Sequence, residues 1–144
     1  MTCMTSTLAL LACIGMAPPD SAEAPKKASV RPVLAWKGVI EDGSRRGKIQ
    51  ASVVTDQANF KNLWTALGKR DEGPDIDFER AFVVVQTSGD QILSIIFEVD
   101  EKGDLTGGKG TAAELKGAGF SYFVGIFMRE GVKSYDGKAI KAAR

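Results

Sequence analysis

The chain has 144 residues, 19 of them basic and 18 acidic, a formal net charge of +1, and no histidine. Lacking an imidazole, it is excluded from Ser-His-Asp and Cys-His catalysis; with only Cys3 and Cys13 it also lacks the ligands of a Cys/His zinc site. The near-neutral balance offers no broad basic field for nucleic acid or a membrane surface, and the length predicts one domain.

The N-terminal end differs from the rest. No Asp, Glu, Lys or Arg precedes Asp20, and Leu8–Ala17 (LALLACIGMA) is continuously apolar. That run is too short to cross a bilayer, which takes roughly 20 helical residues, but it has the length of a signal-peptide core. Residues 1–17 are therefore expected to be a signal peptide or lipoprotein signal. Leu10-Leu11-Ala12-Cys13 resembles a bacterial lipobox, which makes Cys13 the candidate lipidation site. Gly15-Met16-Ala17 and Ala22-Glu23-Ala24 are ordinary small-residue cleavage sites, each leaving proline at the new N-terminus. Export is the expectation, as a periplasmic, lipid-anchored or secreted protein. Residues 18–32 are small, polar and spotted with proline, the composition of a flexible linker, leaving 33–144 as a single domain.

In that domain, residues 33–41 (VLAWKGVIE) read as a strand and the turn-rich 42–47 as the bend of a hairpin, with residues 48–54 returning as its second strand. Thr55 or Asp56 can cap a helix over about 56–67, because Phe60, Leu63, Trp64 and Leu67 recur at i, i+3, i+4 and i+7. Gly68 stands where such a helix ends. Residues 81–87 (AFVVVQT) have the continuous apolar character of a buried strand. Residues 91–100 place Leu93, Ile95, Phe97 and Val99 on one face. A short strand begins at Leu105, while residues 107–119 read as glycine-rich and irregular, with one helical turn at 112–115. Residues 120–129 carry Phe120, Tyr122, Val124, Ile126 and Met128 on one face and Phe123 and Phe127 on the other, which predicts a central strand. Tyr135-Asp136-Gly137-Lys138 contains an Asp-Gly turn signal. The predicted fold is α+β, a mostly antiparallel sheet of roughly five to seven strands with one main amphipathic helix packed on it.

Candidate chemistry is sparse. Residues 103–110 nearly spell a phosphate-binding loop, but glycine stands where Ser or Thr must hold magnesium, so the motif is set aside. Asp75, Asp77 and Glu79 alternate before a strand and could serve a calcium site or an acid/base pair, although the stretch lacks the further ligands of a metal loop and a solvated loop is the favoured reading. The C-terminal cations form the other candidate. Arg129, Lys133 and Lys138, with Tyr135 among them, make a candidate partner-binding surface for an acidic partner. Trp36 and Trp64 are assigned to the core. No catalytic residue, metal or cofactor is expected.

Val54-Thr55-Asp56 after a strand, Phe60 and Leu63-Trp64 on a helix, a proline loop into Ile76-Asp77-Phe78, the Val83-Val84-Val85 strand and a terminal Gly119-Phe120-Ser121-Tyr122 strand occur in a familiar order. Over residues 35–129 this resembles the small exported domains related to the C-terminal part of the protease complex subunit PrcB. The resemblance implies an exported or lipid-anchored accessory that binds and stabilises a partner protease. Thr87-Ser88-Gly89-Asp90 stands where such domains carry a glycine-rich loop with tyrosine. The expected function is thus a non-catalytic, exported protein-binding or assembly module. It would have a protein partner in the cell envelope, no nucleic acid, and membrane contact only through an N-terminal lipid. The alternative is a carboxylate-dependent hydrolase or calcium-binding module using Asp75, Asp77 and Glu79.

Overall fold

The computed structural model describes residues 24–115 and 117–143. Its strands are β1 (Lys27–Val30), β2 (Leu34–Ile40), β3 (Val53–Val54), β4 (Ala81–Ser88), β5 (Asp90–Asp100), β6 (Asp104–Glu114), β7 (Phe120–Met128), β8 (Ser134–Tyr135) and β9 (Lys138–Ala139). A 3-10 helix covers Gly43–Lys48 and an α-helix, α1, covers Gln57–Ala66. The nine strands form two sheets, of order β2-β7-β4-β3 and β1-β5-β6-β8-β9, antiparallel throughout except where β8 lies parallel to β6. The architecture is mostly antiparallel sheet with few helices, but the expectation of one sheet of five to seven strands is corrected. Alternation in a strand identifies its buried face and not the sheet it joins. Here the chain changes sheet at the single residue Gly89, between β4 and β5.

Three layers result. One core lies between α1 and the four-stranded sheet, where Phe60, Leu63, Trp64 and Leu67 meet Val83, Val85, Phe120, Tyr122, Val124 and Ile126. The other lies between the sheets, where Phe82, Val84, Phe123 and Phe127 meet Ile92, Phe97, Leu105 and Tyr135. The four-stranded sheet therefore has both faces covered, which is why β4 and β7 read as continuous apolar runs. Phe127 stacks on Phe82 at 5.9 Å between centroids and meets Phe97 edge-on at 4.7 Å.

The helix follows its local signals. Asp56 is the N-cap, its Oδ1 accepting from the Asn59 amide at 2.8 Å, and Gly68 closes the end at φ +73°. The apolar stripe faces the sheet, and Trp64 meets Trp36 edge-on at 5.1 Å.

Several expectations fail for identifiable reasons. The hairpin of residues 33–41 with 48–54 does not form. Asp42 caps the 3-10 helix by accepting from the Ser44 amide, and the chain is carried across α1's sheet to its far edge. There Val53 and Val54 pair with Val84 and Val83, while β2 pairs along its length with β7 (Trp36 opposite Val124). Lys27–Val30, inside the expected linker 18–32, is a strand on β5, with Val30 opposite Phe97. In β5, irregular pairing between Asp90 and Ser94 turns Ile92 inward and Leu93 out to solvent. The glycine-rich stretch, expected to be irregular with a helical turn at 112–115, is strand as far as Glu114. A Cβ on Gly107 would stand 2.7 Å from the Phe97 ring and 2.5 Å from Gln86 Nε2, so glycine there lets both side chains lie against the backbone. The Asp-Gly signal is met by the turn between β8 and β9, with Asp136 and Gly137 both at positive φ (47° and 76°).

If the doubly covered sheet holds the layers together, Phe127→Ala costs about 3–5 kcal/mol in denaturant unfolding, while Met128→Ala beside it, exposed on the same strand, changes stability by less than about 0.5 kcal/mol. Equal effects at the two positions would contradict this packing.

Candidate functional site

The residues expected to form a C-terminal partner surface do not share one. Tyr135 is buried, only 3% exposed, and its hydroxyl accepts from Gln86 Nε2 at 2.6 Å inside the inter-sheet core. Burial pushes its phenol above the ordinary tyrosine range. Arg129 is an internal clamp: Nε donates to the carbonyls of Phe78 (2.9 Å) and Ala81 (3.1 Å), and Nη1 to that of Lys141 (3.0 Å). Its guanidinium ties the loop before β4 to the C-terminal segment. Only Lys133 and Lys138 remain exposed. A buried aromatic and an anchored guanidinium look like surface groups in sequence, because a two-residue strand such as β8 shows no alternation. Cys13 lies outside the described residues.

Before β4, Asp75 and Asp77 lie on an extended stretch and Glu79 in the turn that follows it, all three exposed. Ile76 and Phe78 turn into the core while Asp75, Asp77 and Glu79 turn out. Asp77 is engaged locally, Oδ1 accepting from the Glu79 amide at 3.1 Å and Oδ2 lying 3.7 Å from Arg80 Nε. Among the described residues no group of three or more His, Cys, Asp or Glu side chains could hold a metal ion.

A different surface stands out, on the flank where the two sheets part. β2 is the terminal strand of its sheet, so among the described residues its outer edge carries no strand neighbour. In the facing sheet, β1 covers only Phe97–Asp100 of β5, leaving the Asp90–Ile96 half uncovered on that side. Between these two edges runs a groove of about 280 Å³ lined by Ala35, Trp36, Lys37, Ile92, Ile95 and Phe123. Leu93, which also lines it, and Val33, Leu34 and Val39 on and beside β2 are each at least 50% exposed. Lys37 spans the opening, Nζ donating to the Leu93 carbonyl at 3.2 Å. Deeper in, Ser121 of β7 stitches the sheets: its hydroxyl donates to the Asp90 carbonyl and accepts from the Ile92 amide at 3.2 Å.

The groove offers backbone edge, apolar side chains and one ammonium group, which together suit binding an extended chain. The sequence carried one signal for it, a lysine in the middle of an apolar strand. That signal acquires meaning only once β2 is known to be an edge, where an inward-pointing charge guards unpaired backbone. The chain matches no protein-family model, no curated protein and no solved structure.

Two measurements probe this region. Ser121→Ala leaves the Asp90 carbonyl and Ile92 amide without their partner, and is expected to cost about 1–3 kcal/mol, against little for the exposed Ser94→Ala. For Tyr135 the fold favours the neutral phenol. Its contribution is complete below about pH 10, where the unfolded chain begins to ionise, and is lost as pH rises through the raised folded value. In an alkaline titration followed by tyrosinate absorbance, Tyr135→Phe should remove a step lying above the ordinary tyrosine range; an unchanged curve would contradict its burial.

Proposed function

We propose that this protein is a protein-binding module that takes an extended segment of a partner as an added strand on the free edge of β2. The observation that carries the reading is a seven-residue edge strand bordered by exposed apolar side chains and one cation. Strand addition draws affinity from main-chain hydrogen bonds, and alternate side chains supply specificity. Here the groove accepts apolar groups beside Ala35 and Phe123, and Lys37 favours a carboxylate opposite it. A second copy of the chain is a poorer occupant. Two-fold antiparallel pairing centred on β2 would set Lys37 against Lys37, and like charges directly opposite are destabilising. The export expected from residues 1–17 and the resemblance to PrcB-related domains support a partner in the cell envelope, a protease being the class the resemblance implies. In this reading the module is an accessory subunit and the chemistry belongs to its partner.

A charge swap tests it. The full chain is titrated with a short peptide of alternating valine and threonine bearing one central glutamate, and tryptophan fluorescence reports on Trp36, which stands on the strand that receives the peptide. Saturable binding is expected, weakened by about tenfold in Lys37→Glu, with the preference passing to the same peptide carrying central lysine. Absence of saturable binding, or equal affinities for wild type and variant, would overturn the proposal.

A further inference from the structure

We propose that the opposite flank of the molecule carries a second site, a polar cleft along the outer side of α1 that binds an extended acidic peptide. Three adjoining cavities, of about 230, 540 and 400 Å³, share lining residues and so run as one cleft. It passes from the 3-10 helix along α1 to the segment containing β9. Its cations include Lys48, Lys138 and Lys141, none of which is in an ion pair among the described residues. Among the described residues the one carboxylate lining it, Asp56, is occupied at the helix cap, accepting from the Asn59 amide at 2.8 Å and Asn59 Nδ2 at 2.6 Å. Three primary amides, Gln50, Asn59 and Asn62, also line it, and Asn62 and Gln50 make no side-chain hydrogen bond among the described residues.

The combination selects a ligand class. A primary amide both donates and accepts, which matches the alternating C=O and N–H of an extended peptide backbone. Lysines along the same cleft match carboxylates on that peptide, with an attraction that salt screens beyond about 8–10 Å. Among the described residues no aromatic side chain lines any of the three cavities, so they offer no platform on which a sugar ring or nucleobase would stack. With a net charge of +1 the attraction is local to the cleft and not a property of the whole surface. Lys138, expected from sequence to meet a partner alongside Tyr135, keeps that role here in different company.

The test uses the full chain and a fluorescein-labelled peptide of alternating glutamate and serine, followed by anisotropy at low ionic strength. The double variant Lys138→Glu/Lys141→Glu should weaken binding by about tenfold or more, and Asn62→Ala by about threefold. Asn62→Ala leaves the charge untouched, so its effect separates backbone recognition from simple attraction. Lys102→Glu, on the turn between β5 and β6, should leave the affinity unchanged. Equal loss with Lys102→Glu would overturn the site as non-specific attraction. Loss with Lys37→Glu alone would move the binding to the β2 edge and overturn the cleft. Unchanged affinity in Asn62→Ala, or competition by a single-stranded oligonucleotide as effective as by unlabelled peptide, would overturn the peptide assignment.

Discussion

The structure depends on β7 being buried on both faces. Its even-numbered residues from Phe120 to Ile126 pack under α1, and Phe123 and Phe127 pack against the second sheet. An antiparallel sheet commonly keeps one face in water; this one cannot, because β7 and its neighbour β4 present apolar groups to both sides. Two covering layers are thus required, and the chain supplies one from α1 and the other from β5, β6 and β8. The aromatic contacts among Phe82, Phe97, Phe123 and Phe127 join the sheets at the centre of that arrangement.

The same constraint produces the open flank. β7 takes β4 on one side and β2 on the other, so β2 ends its sheet. The covering sheet is centred on β5 and β6, and its own edge stops short of β2, leaving the groove between them. Natural sheets guard such an edge with charge or irregular pairing, and both devices are present: Lys37 on β2 and the irregular register near Ile92. A guard that is one flexible lysine, held by a single hydrogen bond to a carbonyl, can be drawn aside by a carboxylate at small cost. In the proposed function, that is what makes a protected edge selective as well.

Much of this was legible in the residues, and the losses have a common cause. The cap at Asp56, the stripe through Phe60 and Trp64, the ending at Gly68 and the turn at Asp136-Gly137 are all local, set within a few residues by backbone chemistry. The two-sided character of residues 120–129 was equally plain, since period-2 alternation with apolar groups on both faces has one meaning. Pairing was not legible. Residues 42–47 have hairpin composition, yet Asp42 uses it to start a 3-10 helix, and the long-range demand of β7 for an edge partner decides where β2 goes. Gly107, Gly108 and Gly110 read as irregular because glycine disfavours strands, and the missing signal at Gly107 was that Phe97 and Gln86 need the space. Neither candidate binding surface could be assembled from sequence alone. Lys37 meets Leu93, and Asn62 shares a cleft with the segment of Lys48 and Gln50, only through that pairing.

The central claim, that β7 is locked inside while β2 beside it offers a free edge, is most directly tested by residue-resolved amide hydrogen exchange on the full chain. With β7 locked inside, amides of Tyr122–Phe127 exchange only through global unfolding. Along Leu34–Ile40 protection should alternate, every second amide exchanging orders of magnitude faster because it faces away from β7. Uniform protection along β2 would show its outer edge already paired, and would contradict the account.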